Sequence, residues 1–117
     1  MKPAIDNFLP LAPATLHILL SLAGEKMYGY AIMQEVARQS GGRFKLGPGT
    51  LYDNLQRLMK AGLVEEATAR SAEDNPRRRY YRLSGLGRGV LTAEIERLRG
   101  VVDHAQAHLK SLRPRRA

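Results

Sequence analysis

The chain has no cysteine and no tryptophan. The first absence excludes disulfides, thiol nucleophiles and thiolate metal sites, and it fits a reducing compartment. The second leaves five tyrosines and two phenylalanines as the aromatic inventory, so no indole platform is available for stacking an aromatic ligand. Long apolar runs are also missing. Ile18 to Ala23 is apolar, but Pro3, Pro10 and Pro13 precede it, His17 lies beside it, and it is too short to cross a bilayer. A secretory signal is not expected, because the charged start and the small-residue cleavage pattern are poorly formed. Acidic residues are few: 11 against 19 Lys and Arg give a formal net charge of +8. That excess calls for a polyanionic partner, either nucleic acid or an anionic membrane surface. The end, RPRRA, reads as a short disordered basic tail over 113–117, yet its three arginines account for only part of the excess and +5 remains elsewhere.

What is present fits one domain with a modest core: 117 residues, 44% of them apolar. Pro13 suits the first turn of a helix running to Gly24, apolar nearly all round and therefore buried on most sides. A second helix is expected over 28–39, with Ile32, Val36, Met33 and Ala37 inward, ending at Ser40-Gly41-Gly42. A short extended piece, RFKL, should follow. The segment LGPGTLYDNLQRLMKAGLV then opens a third helix, with Pro48 at its first position and Leu51, Leu55, Leu58 and Gly62 on one stripe. At about 100° per residue the opposite face collects Gly49, Asp53, Gln56, Arg57 and Lys60, bordered by Thr50, while Tyr52 and Asn54 flank the buried stripe. LVEEATA and RRRYYRL read as two strands around the turn formers of RSAEDNP. In the second strand Arg79, Tyr81 and Leu83 share one side and Arg78, Tyr80 and Arg82 the other, so one side can bury while the other carries charge. The order describes a mainly α fold, a helix-turn-helix with a wing attached.

A last helix should begin at Ser84, a good N-cap, and run to about Leu112. Leu91, Ile95, Leu98, Val102, Ala105, Leu109 and Leu112 recur at alternating steps of four and three, an uninterrupted heptad seam. At ~1.5 Å per residue this helix is roughly 40 Å long, more than the small core beside it can cover. The uncovered part of the seam implies a second copy of the chain. The expected division is a winged helix-turn-helix domain over 1–83, a dimerisation helix over 84–112 and the basic tail.

Three stretches, YGYAIMQEV at 28–36, LGPGTLYDNLQRLMKAGLVE at 46–65 and RRRYYRLSGLGRGVL at 77–91, resemble the PadR family of winged-helix transcriptional regulators. With the last helix they span most of the chain, and the most specific pieces run from Pro48 to Leu58 and from Tyr80 to Leu83. The resemblance implies a homodimer that binds operator DNA, usually to repress, through the third helix and the wing. It is closest to short members whose single C-terminal helix makes the dimer, with a ligand site between subunits. Two departures stand out. Gly47 replaces the small polar residue that often caps the third helix, and Gly85 and Gly89 around Gly87 should make the start of the last helix more flexible than usual.

A helix can enter the DNA major groove with its amino-terminal residues facing base edges. Arg57 can take guanine O6 and N7 in a bidentate way, Asn54 can pair with adenine, and Thr50 can touch a phosphate or a thymine methyl, with Gly49 allowing close approach. Asp53 is unwelcome near phosphates, but it precedes Arg57 by four residues and can orient that guanidinium. The plain alternative is a solvated helix face with one intrahelical ion pair. Tyr52 either donates to a phosphate or packs beside Met59. Lys45 and Tyr30 are further phosphate candidates. At the wing, Arg77, Arg78 and Arg79 can lie along the backbone or in the minor groove, opposed by Glu73 and Asp74. Arg79 has an equal alternative, pairing with an acidic residue on the strand's buried side.

Other motifs lead elsewhere. SGLGRG matches neither the dinucleotide fingerprint nor the P-loop, and no βαβ unit surrounds it. His104 and His108 have a spacing that can hold a metal, but only Asp103 stands by to help, so exposed helix histidines are the better reading. No nucleophile triad or carboxylate pair has a recognisable context. The reading is a non-enzymatic, cofactor-free, metal-free cytoplasmic regulator that acts as a homodimer on a pseudo-palindromic operator in double-stranded DNA. A small apolar or aromatic effector is its further partner, walled by Phe8, Leu9, Leu11, Leu98 and Val102. The alternatives are a small-molecule sensor, or a winged helix used for protein contacts with little direct DNA readout.

Overall fold

A computed structural model describes residues 4–68 and 74–111. A 3-10 turn, Ile5–Phe8, leads into α1, Pro13–Ser21, whose first residue is the expected proline. Strand β1 is only Met27–Tyr28 and runs directly into α2, Gly29–Gln39. Helix α3 spans Pro48–Lys60, the wing strands β2 and β3 span Val64–Ala67 and Tyr80–Leu83, and α4 spans Gly85–Ser111. The fold is mainly α: a winged helix-turn-helix followed by one long helix. Ile18, Leu19, Ile32, Val36, Leu51, Leu55, Leu63 and Val90 are the centre of the core, each essentially free of solvent. The core is thus shared by all four helices.

The ends of α3 follow local chemistry. Gly47 caps its start without a side-chain bond, leaving Pro48 to set the first turn. At its other end Gly62 takes a φ of 81°, so the Leu63 N–H reaches the Leu58 carbonyl at 2.9 Å and the Gly62 N–H reaches Met59 at 3.1 Å. This double closure needs the left-handed conformation that glycine adopts without a Cβ penalty. Gly62 is therefore exposed at the helix stop and does not extend the buried stripe, as its spacing had suggested.

The third strand comes from a place the pattern did not indicate. RFKL forms no strand. Its backbone is satisfied locally: the Ser40 hydroxyl accepts from the Phe44 N–H at 2.9 Å and donates to the Phe44 carbonyl at 3.1 Å, while the ring stacks on His17. Instead β1 pairs with β3, Met27 opposite Tyr81 and Tyr28 opposite Tyr80, giving an antiparallel sheet of order β1-β3-β2. With neighbours on both edges, β3 does not divide cleanly into a buried and a charged side. Tyr80 and Tyr81 are both buried, and only Arg82 remains exposed.

Ser84 caps α4 as expected, its hydroxyl accepting from the Gly87 N–H at 3.0 Å. Of the glycines there, Gly87 and Gly89 serve close packing, while Gly85 has nothing within 4 Å of where its Cβ would stand. A Cβ on Gly87 would run into the Leu63 carbonyl, whose carbon would stand 2.9 Å away, and one on Gly89 would come within 3.2 Å of Ile5 Cδ1. The start of α4 is thereby pressed onto the wing's entry and the N-terminal turn. Gly87, Val90, Leu91 and Glu94 are buried, so Leu91 belongs to the chain's own core and is not available to a seam between copies. From Arg99 onward every described residue of α4 is exposed. Leu112, Glu73 and the basic tail lie outside the described residues.

Candidate nucleic-acid interface

The stripe on α3 that holds Leu51, Leu55 and Leu58 in the core turns Gly49, Thr50, Asp53, Gln56, Arg57 and Lys60 to solvent. Asp53, Gln56, Arg57 and Lys60 line one open depression along the helix. Among the described residues, Asp53 makes no ion pair with Arg57; the four-residue spacing does not close, and the guanidinium is left with no carboxylate partner. Asn54 keeps its expected place beside the buried stripe but not the exposure that a base contact needs. It is 8% exposed, and its Nδ2 donates to the Thr50 carbonyl one turn back at 2.9 Å. This back-bond satisfies the amide inside the core edge and withdraws Asn54 from the exposed face.

Tyr52 leaves the opposite flank of α3 and lies across the start of α2. A Cβ at Gly29 would stand 2.8 Å from the Tyr52 Cζ, so the ring occupies the space that a side chain there would need. The tyrosine is nonetheless 47% exposed. It shares one depression with Tyr28, Gly29, Tyr81 and the three wing arginines, and a second with Leu55, Gln56, Met59, Arg79 and Tyr81. Both readings of Tyr52 thus hold part of the geometry: packing beside Met59 with solvent still open to the ring. Burial raises the Tyr81 phenol above its usual range, with Arg79 opposing and Tyr52 and Glu66 assisting. Tyr81 remains a neutral floor for the cleft.

The wing arginines differ from one another. Arg79 Nε pairs with Glu66 Oε1 at 3.0 Å, which gives it the acidic partner of the alternative reading, but its side chain is 74% exposed and not on a buried side. Arg82 pairs in the same way with Glu65 at 3.1 Å. Arg78 stacks its guanidinium 3.9 Å from the centre of the Tyr28 ring and, like Arg77, has no carboxylate partner among the described residues. Stacking fixes the cation without consuming its charge. Lys45 is exposed just before α3, and Tyr30, 58% exposed, stands at the first turn of α2. Arg57, Lys45, Arg77 and Arg78 therefore bring positive charge to the exposed parts of α3, its approach and the wing, where Tyr52 forms the junction.

The remaining candidates sort differently. Phe8, Leu9 and Leu11 pack against the protein's own core. Leu98 is half-buried and Val102 is 50% exposed. The rings of His104 and His108 stack on the exposed α4, and among the described residues no group of three or more His, Asp or Glu gathers to hold a metal ion. Of the SGLGRG glycines, Gly87 and Gly89 face protein atoms at the start of α4, whereas Gly85 faces open space. No helix among the described residues is long and apolar enough to cross a membrane.

Three residues that sequence reasoning passed over bear on these parts. Lys26 reaches the wing, Glu94 binds the N-terminal segment, and Val101, 51% exposed, extends the stripe of α4 buried at Val90 and Glu94 through Leu98 in steps of three and four. Only Val101 had a periodic signal, read off the continuing buried stripe in place of the heptad.

Comparison with known proteins agrees with this geometry. Residues 18–93 match the model of the transcriptional regulator PadR-like family. The chain is 34% identical over 100 residues to Transcriptional regulator Rv3488 of Mycobacterium tuberculosis, covering 83% of this chain and 89% of that one. Among solved structures, a PadR family transcription regulator of Clostridium difficile superposes with a TM-score of 0.69 at 23% identity, covering 84% of this chain and 99% of the other. Bacillus subtilis PadR, solved in complex with operator DNA, gives a TM-score of 0.61 at 20% identity, over 74% of this chain and 48% of that one. This chain belongs to the PadR-like family of transcriptional regulators, and it is a regulator rather than an enzyme.

Proposed function

We propose that the protein is a homodimeric repressor that occupies a pseudo-palindromic operator in double-stranded DNA, with α3 in the major groove and the wing on the adjacent backbone. The observation that carries this reading is the placement of Arg57, on the exposed face of α3, and of Arg77 and Arg78, on the wing, as cations without carboxylate partners among the described residues, with Tyr52 bridging the two elements. Arg57 reads guanine, Thr50 and Gly49 lie against the groove wall, and Tyr52, Lys45, Tyr30, Arg77 and Arg78 meet phosphates. Arg79 contributes through Glu66 by holding the strand. Asp53 faces the same groove and disfavours phosphate there, which sets a limit on register.

The second copy is held by the overhang of α4. Val101, Val102, Ala105 and Leu109 are exposed beyond the domain, and covering them needs a partner helix. Two recognition helices related by a twofold then fall on half-sites about one helical turn, ~34 Å, apart. A small apolar or aromatic effector acts where the N-terminal segment meets α4, beside Leu98 and Val102, with the second copy supplying the far wall. It would release DNA by favouring a dimer whose recognition helices are wrongly spaced. Cytoplasmic placement follows from action on the chromosome.

Footprinting of the intergenic DNA around the gene tests the whole reading. Two protected half-sites one turn apart, and a binding constant that falls steeply with salt, are the expected results. A folded dimer that ignores every fragment at 50 mM salt favours a winged helix used for protein contacts.

A further inference from the structure

We propose that Lys26 is a positioning residue for the wing: its ammonium closes the hairpin across the base of its loop and so sets where Arg77 and Arg78 point. Lys26 immediately precedes β1 and is remote in sequence from the wing. Its Nζ donates to the Thr68 carbonyl at 2.8 Å and to Asp74 Oδ2 at 2.6 Å, joining the residue that follows β2 to one in the approach to β3. The same ammonium lies 5.3 Å from the centre of the Tyr80 ring. The lysine and aspartate side chains keep only 27% and 15% of their surface, so this pair is shielded compared with the ion pairs on the outer strand faces.

Order passes outward from this clasp through short bonds. The Asn75 N–H donates to the Tyr80 hydroxyl at 2.9 Å, the Arg77 N–H donates to Asn75 Oδ1 at 2.9 Å, and the Arg78 N–H donates to the Asn75 carbonyl at 3.0 Å. Asp74, held by Lys26, is the first link of a turn that carries Arg77 and Arg78, neither of which has a carboxylate partner among the described residues. Without the clasp Thr68 and Asp74 lose this shared partner, and positioning Arg77 and Arg78 falls to the DNA-bound state.

The inference rests on the DNA-binding reading, and its test separates the two. The key variant is Asp74→Asn. If Lys26 simply met a phosphate, removing a carboxylate beside it would strengthen DNA binding; a clasp requires that Asp74→Asn weaken it. Affinity for the footprinted fragment should fall about tenfold in Asp74→Asn and in Lys26→Met, and recover largely in Lys26→Arg. Hydrogen exchange of the free protein gives a readout that needs no DNA: the amides of Asn75, Arg77 and Arg78 should exchange faster in both variants, with the α1 and α4 amides unchanged. Tighter or unchanged binding by Asp74→Asn, or unchanged exchange at those three amides, overturns the clasp. Wild-type protein that binds no DNA while the exchange result holds would instead overturn the DNA-binding reading alone.

Discussion

The backbone N–H of Leu11 donates to the Oε2 of Glu94 at 2.9 Å, across 83 residues of sequence. The carboxylate is 1% exposed, and Arg97 grips its two oxygens at 2.6 and 3.1 Å. One buried anion thus ties the N-terminal segment to the middle of α4, just before that helix leaves the domain. The Arg97 bond is the main reason the Glu94 carboxyl lies below its ordinary value of 4.5; burial opposes it, and the Leu11 N–H assists.

A stability prediction follows from the sign of that shift. A carboxyl that is more acidic in the folded chain stabilises it in full above the ordinary value of 4.5, and this is lost as pH falls below it through the lowered folded value. Glu94→Ala strands the Leu11 N–H and should cost about 2 kcal/mol at neutral pH. Urea unfolding at fixed protein concentration should show the gap between wild type and variant narrowing as the pH falls below 4.5. A gap that stays constant or widens on acidification contradicts the assignment.

Gly29 and Tyr52 make a second pair with a measurable coupling. The Gly29→Ala methyl would need the space now filled by the Tyr52 ring, whose far end is free to swing away. The fold should survive, with a small loss of stability, while the tyrosine leaves its seat between α2 and the wing. Gly29→Ala and Tyr52→Ala should each weaken DNA binding several-fold, and the double variant should be little worse than either. Fully additive losses would mean that the ring does not act through this seat.

The overhang of α4 offers a third test. Val101 and Leu109 are 51% and 69% exposed, and they lie on the continuation of a stripe that is buried one domain-length earlier. Leu109→Glu places two charges per dimer in the proposed seam, and burial of one leucine contributes about 1.5–3 kcal/mol. Sedimentation should find the variant largely monomeric at concentrations where wild type is dimeric, with the unfolding of the winged domain little altered. A dimer that persists in Val101→Glu/Leu109→Glu moves the interface off this helix.

Much of this architecture is legible in the sequence, and the exceptions have physical causes. Pro48 and the Leu51, Leu55, Leu58 stripe place α3 within its observed bounds because a start signal and a 3.6-residue period act together. Ser84 does the same for α4. Periodicity sets Asn54 beside the buried stripe, but it cannot show that the short amide satisfies itself on the Thr50 carbonyl and buries. Strand β1 has two residues, too few for any alternation to register. Lys26 carries no pattern, and Glu94 shows only its local pairing with Arg97: the partners that matter, Asp74 and the Leu11 N–H, lie 48 and 83 positions away, and only the folded chain brings them together. The heptad on α4 was visible, but its first leucine is claimed by the chain's own core.

The last prediction divides reading from anchoring. Arg57 projects from the exposed face of α3 with no carboxylate holding it among the described residues, whereas Arg78 is fixed over the Tyr28 ring at the wing. A guanidinium in the major groove discriminates bases; one against the backbone adds affinity without preference. Arg57→Ala should therefore cost about tenfold on the best operator and much less on operators changed at the base it reads. Arg78→Ala should weaken every duplex by a similar factor and reduce the slope of log K against log salt by about one. Binding measured on a panel of single-base operator variants at several salt concentrations separates the two effects. If Arg57→Ala lowers affinity equally for every base, its side chain lies on phosphate, and the polar face of α3 serves to dock the helix rather than to read sequence.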